Sequence, residues 1–288
     1  MTPAGAVVAT HPYVIADVFT DTALQGNALA VFTDGAPFGE LTMQRVAREM
    51  NLSETVFALA AQEGGDARIR IFTPGRELPF AGHPVLGSAF VLAGERDTIR
   101  LETGLGIVPV SLERADGRIV FGRMEQPLPT LEPFEPAAQL LRALGVERSR
   151  LPIEAYLNGP HNVYVVLESE DAVASLSPDL GALAAIGRLN VSCLAGSGQR
   201  WKTRMFAPAI GVGEDPATGS AAGPLALHLA RHGAIAFGEE IEIRQGEEIA
   251  RPSKLYARVD GSADHVERIE VGGAAVIVAH GEFQFGQE

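Results

Sequence analysis

The chain of 288 residues has a single cysteine, Cys193, so an intrachain disulfide is impossible. That fits a reducing compartment and sets the expectation of a cytoplasmic protein. Positive charge is also scarce. Lys and Arg number 23 against 36 Asp and Glu, for a formal net charge of −13. A chain this acidic makes nucleic acid an unsuitable partner, and any anionic substrate needs local donors because the overall field repels it. No apolar run approaches the ~20 residues of a membrane-spanning helix. The opening Met1-Thr-Pro-Ala-Gly-Ala-Val-Val-Ala-Thr10 has no basic region of the kind that starts a secretory signal.

Several catalytic and cofactor signatures are absent too. The nucleophile elbow G-x-S-x-G is missing, and no Lys follows the glycines as a phosphate loop demands. Gly196-Ser-Gly198 lacks the third glycine of a dinucleotide fingerprint. His228 and His232 are four apart on a helical stretch, but Leu229 stands where a zinc-protease helix has Glu, so no metal is expected there. Cys193 lies in an apolar run and reads as a small buried residue. Trp201, between Arg200 and Lys202, reads as packing.

What the chain does have is a repeat. Glu77-Leu-Pro-Phe-Ala-Gly-His-Pro84 and Gly213-Glu-Asp-Pro-Ala-Thr-Gly-Ser220 share a Pro-x-x-Gly-polar layout, with both the prolines and the glycines 137 residues apart. Gly26 to Phe32 is echoed by His161 to Leu167, with Asn27 and Asn162 135 apart. Arg70-Ile-Phe-Thr-Pro74 is echoed by Arg204-Met-Phe-Ala-Pro208, with Phe72 and Phe206 134 apart. This period is far too long for a solenoid and indicates a duplicated domain. Alternation predicts strands over Tyr13–Phe19, Ala28–Phe32, Thr55–Leu59 and Arg68–Phe72. Helices are expected over Leu41–Met50, Val85–Ala93 and Leu225–Arg231. The Pro-rich Gln126–Pro136 reads as a linker, dividing the chain into 1–125 and 126–288. Strands outnumber helices too heavily for a Rossmann sheet, so the fold class is α+β, each half a set of strands curled around one apolar helix. Two such halves face to face would enclose a cleft lined by two helix N-termini.

The residues suited to chemistry collect at the repeated motif. Glu54 sits between a helix and an apolar strand. Partial desolvation there would raise its basicity enough to take a proton from carbon; a solvated loop carboxylate is the other reading. His83 opens a helix, where the N–H groups disfavour a charged imidazole and leave a neutral proton donor or relay, or else a simple cap. Asp215 starts an Asp-Pro turn, yet the other copy has Leu78 at that position. A carboxylate in only one copy suggests divided labour, with Asp215 holding a substrate amino group. Gly219 and Ser220 offer N–H groups and a hydroxyl suited to a carboxylate, and Ser220 also suits an N-cap.

Asn51-Leu-Ser-Glu-Thr55, Leu78-Pro-Phe-Ala-Gly-His-Pro84 and Glu214-Asp-Pro-Ala-Thr-Gly-Ser-Ala-Ala-Gly223 resemble the PhzF family of phenazine biosynthesis. The resemblance runs from about Tyr13 to the C-terminus. It implies the diaminopimelate-epimerase fold, with the last strand able to swap back to the first half. It implies cofactor-free isomerisation of trans-2,3-dihydro-3-hydroxyanthranilate by acid/base proton transfer, in a cytoplasmic homodimer whose partner is this small molecule. Glu54 would be the acid/base, assisted by His83 and Asp215. Asn27, Gly82, Gly219 and Ser220 would lie around the substrate. Leu157, His161 and Asn162 depart from the His, Arg and His of the family pattern, and Pro216 replaces an alanine.

Overall fold

A computed structural model describes residues 8–286. Residues 1–7, which hold most of the segment read for a secretory signal, lie outside the described part. The first half contains β1 (Val8–Val18), β2 (Asn27–Phe32), α1 (Glu40–Met50), β3 (Glu54–Leu59), β4 (Ala67–Phe72), β5 (Glu77–Leu78), α2 (Gly82–Leu92), β6 (Thr98–Thr103), β7 (Gly106–Ala115) and β8 (Arg118–Glu125). After it come β9 (Thr130–Pro133), α3 (Ala137–Leu144), β10 (Glu154–Leu157), β11 (His161–Val166), α4 (Glu170–Ala174), α5 (Leu180–Ile186), β12 (Asn190–Ser197), β13 (Arg200–Ala207) and β14 (Val212–Asp215). The chain closes with α6 (Gly219–Arg231), β15 (Glu240–Gln245), β16 (Ser253–Gly261), β17 (Val266–Gly273) and β18 (Ala275–Gly286).

The strand pairing repeats. β1 to β8 are joined antiparallel (β1–β2), parallel (β2–β3), antiparallel (β3–β4), parallel (β4–β6) and then antiparallel through β7 to β8. β10, β11, β12, β13, β15, β16 and β17 follow the same sequence of senses. β8 and β17 pair with each other and join the two ribbons. Each ribbon also receives a strand from beyond the end of the other. β18 follows β17 but pairs along β1, and β9 follows β8 but pairs with β10. The Pro-rich stretch read as a linker thus contains a strand. Its prolines are tolerated because β9 pairs on one side only, where a missing N–H is harmless.

Each ribbon wraps one helix. In α2 every residue from Gly82 to Phe90 is buried, and in α6 every residue from Gly219 to Ala230. A helix buried all round carries apolar residues on every side, which is why neither shows the one-sided pattern of α1, buried at Met43, Val46 and Ala47. Both helices start earlier than their apolar spacing predicts, at the glycines of the repeat. α6 also runs through Pro224. Proline cannot donate to the carbonyl four residues back, and that carbonyl, Ser220 O, accepts from Asn158 Nδ2 at 2.9 Å instead.

The two buried helices meet end to end. A Cβ on Gly82 would lie 2.5 Å from both Gly219 C and Ser220 N, and one on Gly219 would lie 2.9 Å from the Phe19 ring and 3.0 Å from His83 N. Only glycine permits this approach. Gly82→Ala should therefore cost about 1–3 kcal/mol from overpacking, seen as a lower Tm. An unchanged Tm would contradict the glycine-to-glycine contact.

Candidate functional site

Each element around the helix junction delivers a side chain to it. α1 stops at Asn51, whose φ of 52° is the left-handed cap that reverses the chain. Three residues later Glu54 opens β3, paired beside Leu29 of β2. Asn27 is the first residue of β2, Asp215 the last of β14, and His83 and Ser220 are the second residues of α2 and α6. A cavity of about 270 Å³ lies among them, lined by Ser53, Glu54, Gly82, His83, Asp215, Thr218, Gly219 and Ser220. Phe80, Met205, Ile210 and Val212 supply apolar wall.

The polar groups are ordered. Asn27 Nδ2 donates to Asp215 Oδ1 and to Ala217 O, both at 3.0 Å. Thr218 Oγ1 donates to Asp215 Oδ2 at 2.5 Å, and Ser53 Oγ reaches Oδ1 at 3.5 Å. Asp215 is thus held as an acceptor. The same Asn27 amide lies 3.4 Å from His83 Nδ1. Both hydrogens of that amide go to Asp215 and Ala217, but an NH₂ group offers a protonated Nδ1 no acceptor, so the ring proton is assigned to Nε2. Nε2 lies 3.4 Å from Glu54 Oε2, has no hydrogen bond and is buried. A proton-bearing nitrogen is therefore directed at a carboxylate it has not yet engaged.

Burial sets the charges. Glu54 is raised from 4.5 to about 8, first by desolvation and then by the charge of Asp215. Asp215 rises from 3.8 to about 6 through desolvation, partly offset by its hydrogen bonds from Thr218, Asn27 and Ser53. His83 falls from 6.5 to about 3 because burial disfavours the cation. Near pH 7 the site holds an ionised Asp215, a neutral imidazole and a carboxyl at Glu54 close to its titration point. Such separation of paired carboxylates is a mark of acid/base sites.

The family described as phenazine biosynthesis-like protein, PhzC-PhzF, matches residues 16–281. The chain belongs to the PhzC-PhzF family. It is 55% identical over 273 residues to the trans-2,3-dihydro-3-hydroxyanthranilate isomerase of Pseudomonas aeruginosa, covering 94% of this chain and 98% of that protein. Its structure superposes on a PhzF-family phenazine biosynthesis protein from Bacillus anthracis with a TM-score of 0.83 at 26% identity, covering 96% and 99% of the two chains. A hydroxyproline epimerase from Agrobacterium vitis shares the fold at 12% identity and TM-score 0.66, over 96% and 92% of the chains. The α+β fold is that of the diaminopimelate-epimerase-like proteins.

The structure gathers all seven sequence-nominated residues of this PhzC-PhzF chain at one place. Gly82 and Gly219 owe their identity first to the contact between helices. Asn27 lies behind the wall, holding Asp215 and facing His83. Four polar residues were missed. Ser53 and Thr218 bind Asp215, and Gln245 braces it, donating from Nε2 to Asp215 O at 2.7 Å and to Thr218 Oγ1 at 3.0 Å. Asn190 opens β12 as Glu54 opens β3, and lines the cavity. The repeat could have revealed it, because the pairs Thr55–Phe72 and Val191–Phe206 occupy matching register positions. Asn190 Nδ2 donates to Asn162 Oδ1 at 3.1 Å, and Asn162 Nδ2 to Asn158 Oδ1 at 2.9 Å. Asn162 thereby supports, through Asn158, the carbonyl freed by Pro224.

Two side features of the family member lie away from the cavity. Cys193 is fully buried, its thiol pushed up to about 12 by burial, so it offers no thiolate. At the other end of α6, His232 Nε2 and Tyr156 Oη meet Glu154 Oε2 at 2.9 Å, with His228 Nδ1 3.6 Å away. Arg231 Nη1 donates to the same oxygen at 3.0 Å, so the chain's own cation sits in this cluster.

The raised Glu54 has a stability consequence. The folded state holds its proton more tightly than the unfolded state, so Glu54 costs stability as pH climbs from 4.5, with the full cost reached above about 8. Glu54→Gln should melt above the parent at pH 8, with the gap closing towards pH 4.5. A gap independent of pH between 5 and 8 would contradict the shift.

Proposed function

We propose that this protein is an isomerase that converts trans-2,3-dihydro-3-hydroxyanthranilate to the aminoketone precursor of phenazines by acid/base proton transfer. The observation that carries this reading is the convergence, in one small cavity between two helix N-termini, of Glu54 with Asp215 and a neutral His83. The 55% identical relative bearing that isomerase name supports the choice of substrate.

In this reading Glu54, as carboxylate, removes the allylic proton at C3 of the cyclohexadiene. The electron pair shifts through the diene, and the proton is returned at C1. The enol at C3 then becomes the ketone. Nothing is gained or lost overall, so no redox partner is involved. The ionised Asp215 holds the substrate ammonium. The carboxylate lies against the first-turn N–H groups at Gly219 and Ser220, which have no helical partners. His83 Nε2–H stabilises the Glu54 carboxylate once it forms. Phe80, Met205 and Ile210 exclude water, and pre-positioning supplies much of the rate. A two-thiol epimerase reaction has no second cysteine to work with.

The same reading treats the repeat units as two domains divided near residue 125, with the last strand exchanged between them. Family resemblance supports a homodimer, and the lone cysteine supports a cytoplasmic location.

Incubation with trans-2,3-dihydro-3-hydroxyanthranilate in deuterated buffer, followed by NMR, tests the reaction. Rapid conversion is expected, and Glu54→Gln should reduce kcat by about 10²–10⁴-fold. Intact, folded protein that leaves the substrate unchanged would refute the assignment. The pH profile tests the base. Because Glu54 must be ionised, kcat/KM should rise with pH to a plateau above about 8 and fall further as Asp215 protonates near 6. A flat profile from pH 6 to 9 would remove Glu54 from the base role.

A further inference from the structure

The cavity lining has two carboxylates and a neutral imidazole, but only one guanidinium, that of Arg76. Neither the motifs nor the proton-transfer scheme use it. Arg76 ends the tight turn between β4 and β5. Its N–H donates to Thr73 Oγ1 at 3.0 Å, and its carbonyl accepts from Thr73 N at 2.8 Å and Thr73 Oγ1 at 3.0 Å. Gln44 Nε2 of α1 braces the turn by donating to Thr73 O at 2.9 Å and Pro74 O at 3.2 Å. The backbone of Arg76 is therefore fixed.

Its side chain is free. Arg76 is exposed, so it stands at the rim of the cavity it lines. Among the described residues its guanidinium has no hydrogen bond or ion pair. The neighbouring acid on the turn, Glu77, is already taken by Arg70 in a bidentate pair. The chain carries a net charge of −13. An incoming carboxylate meets both that overall charge and the ionised Asp215 inside. The helix N–H groups offset the second only at contact distance. Among the described residues Arg76 is the one full positive charge that lines the cavity, and a guanidinium fork matches a carboxylate with two parallel hydrogen bonds.

We propose that Arg76 is the specificity-determining cation of this site, recognising the substrate's carboxylate from the solvent side while the helix N-termini hold it from within. The identity of that substrate rests on the isomerase reading; the carboxylate chemistry rests on the cavity.

Two stable ligands separate these claims. 3-Hydroxyanthranilate is an aromatic analogue that cannot undergo the isomerisation, and 2-aminophenol is the same ring without the carboxylate. Calorimetry should show Arg76→Ala weakening 3-hydroxyanthranilate by about 10-fold or more, with binding of 2-aminophenol unchanged. Arg76→Lys should recover part of the loss, since a point charge replaces the fork. In turnover, Arg76→Ala should raise KM far more than it lowers kcat, and should shift the salt dependence of kcat/KM towards a rise, because only the repulsive field is then left to screen. Unchanged affinity for 3-hydroxyanthranilate in Arg76→Ala would overturn the proposal. So would an equal loss for both ligands, which would mean a packing role, and so would a parent protein that binds neither. A parent that binds 3-hydroxyanthranilate through Arg76 but does not isomerise the dihydro compound would sustain this proposal and defeat only the isomerase assignment.

Discussion

Two helix N-termini pressed together through Gly82 and Gly219 are the constraint on which the rest of this molecule is arranged. Helix ends of like partial charge repel, and their first-turn N–H groups have no partners of their own. Bringing two of them together inside a protein requires acceptors nearby and walls that hold the ends in place. The two strand ribbons supply the walls, each wrapping one helix and locked to the other through β8 and β17. Exchange of β9 and β18 between ribbons ties the halves further. Asp215, with Glu54 beside it, supplies the negative charge.

The electrostatics follow from that junction. Burial raises both carboxylates, but three hydrogen-bond donors favour ionised Asp215, whereas Glu54 is left with the uncommitted Nε2 of His83. The two acids therefore titrate apart, one fixed as a charge and the other poised as a proton carrier. Asn27 couples the parts: it is contributed by the first ribbon, holds Asp215 of the second, and faces Nδ1 of His83. The duplicated scaffold has become asymmetric in its chemistry. Where one copy has Glu54, His83 and Leu78, the other has Asn190, Ser220 and Asp215.

Much of this was legible in the sequence because duplication turns weak local signals into paired ones. Neither Pro-x-x-Gly-polar motif means much alone, but two copies 137 residues apart identify both helix starts and the cleft between them. Glu54, His83 and Asp215 were found this way or through the family resemblance. Residues acting across the junction were less visible. Gln245 and Thr218 matter only because β15 and the turn before α6 fold beside Asp215, a proximity no spacing encodes. The strand at Thr130–Pro133 was hidden by prolines that a one-sided edge tolerates. Apolar spacing alone places the start of α6 as late as Leu225, because a fully buried helix has no polar face to give it a period; the repeated glycine marks the true start.

Acid/base chemistry in this cleft depends most directly on the Glu54 carboxyl titrating near neutrality because of its buried position between the helix ends. Labelling the protein with ¹³C at glutamate side-chain carboxyls, with Glu54→Gln to assign the signal, allows that group to be titrated in the ligand-free protein. Glu54 is expected to titrate near pH 8, displaced far above 4.5. A Glu54 signal that titrates near 4.5 would mean an ordinary solvated carboxylate and would contradict the reading of this cleft as an acid/base site.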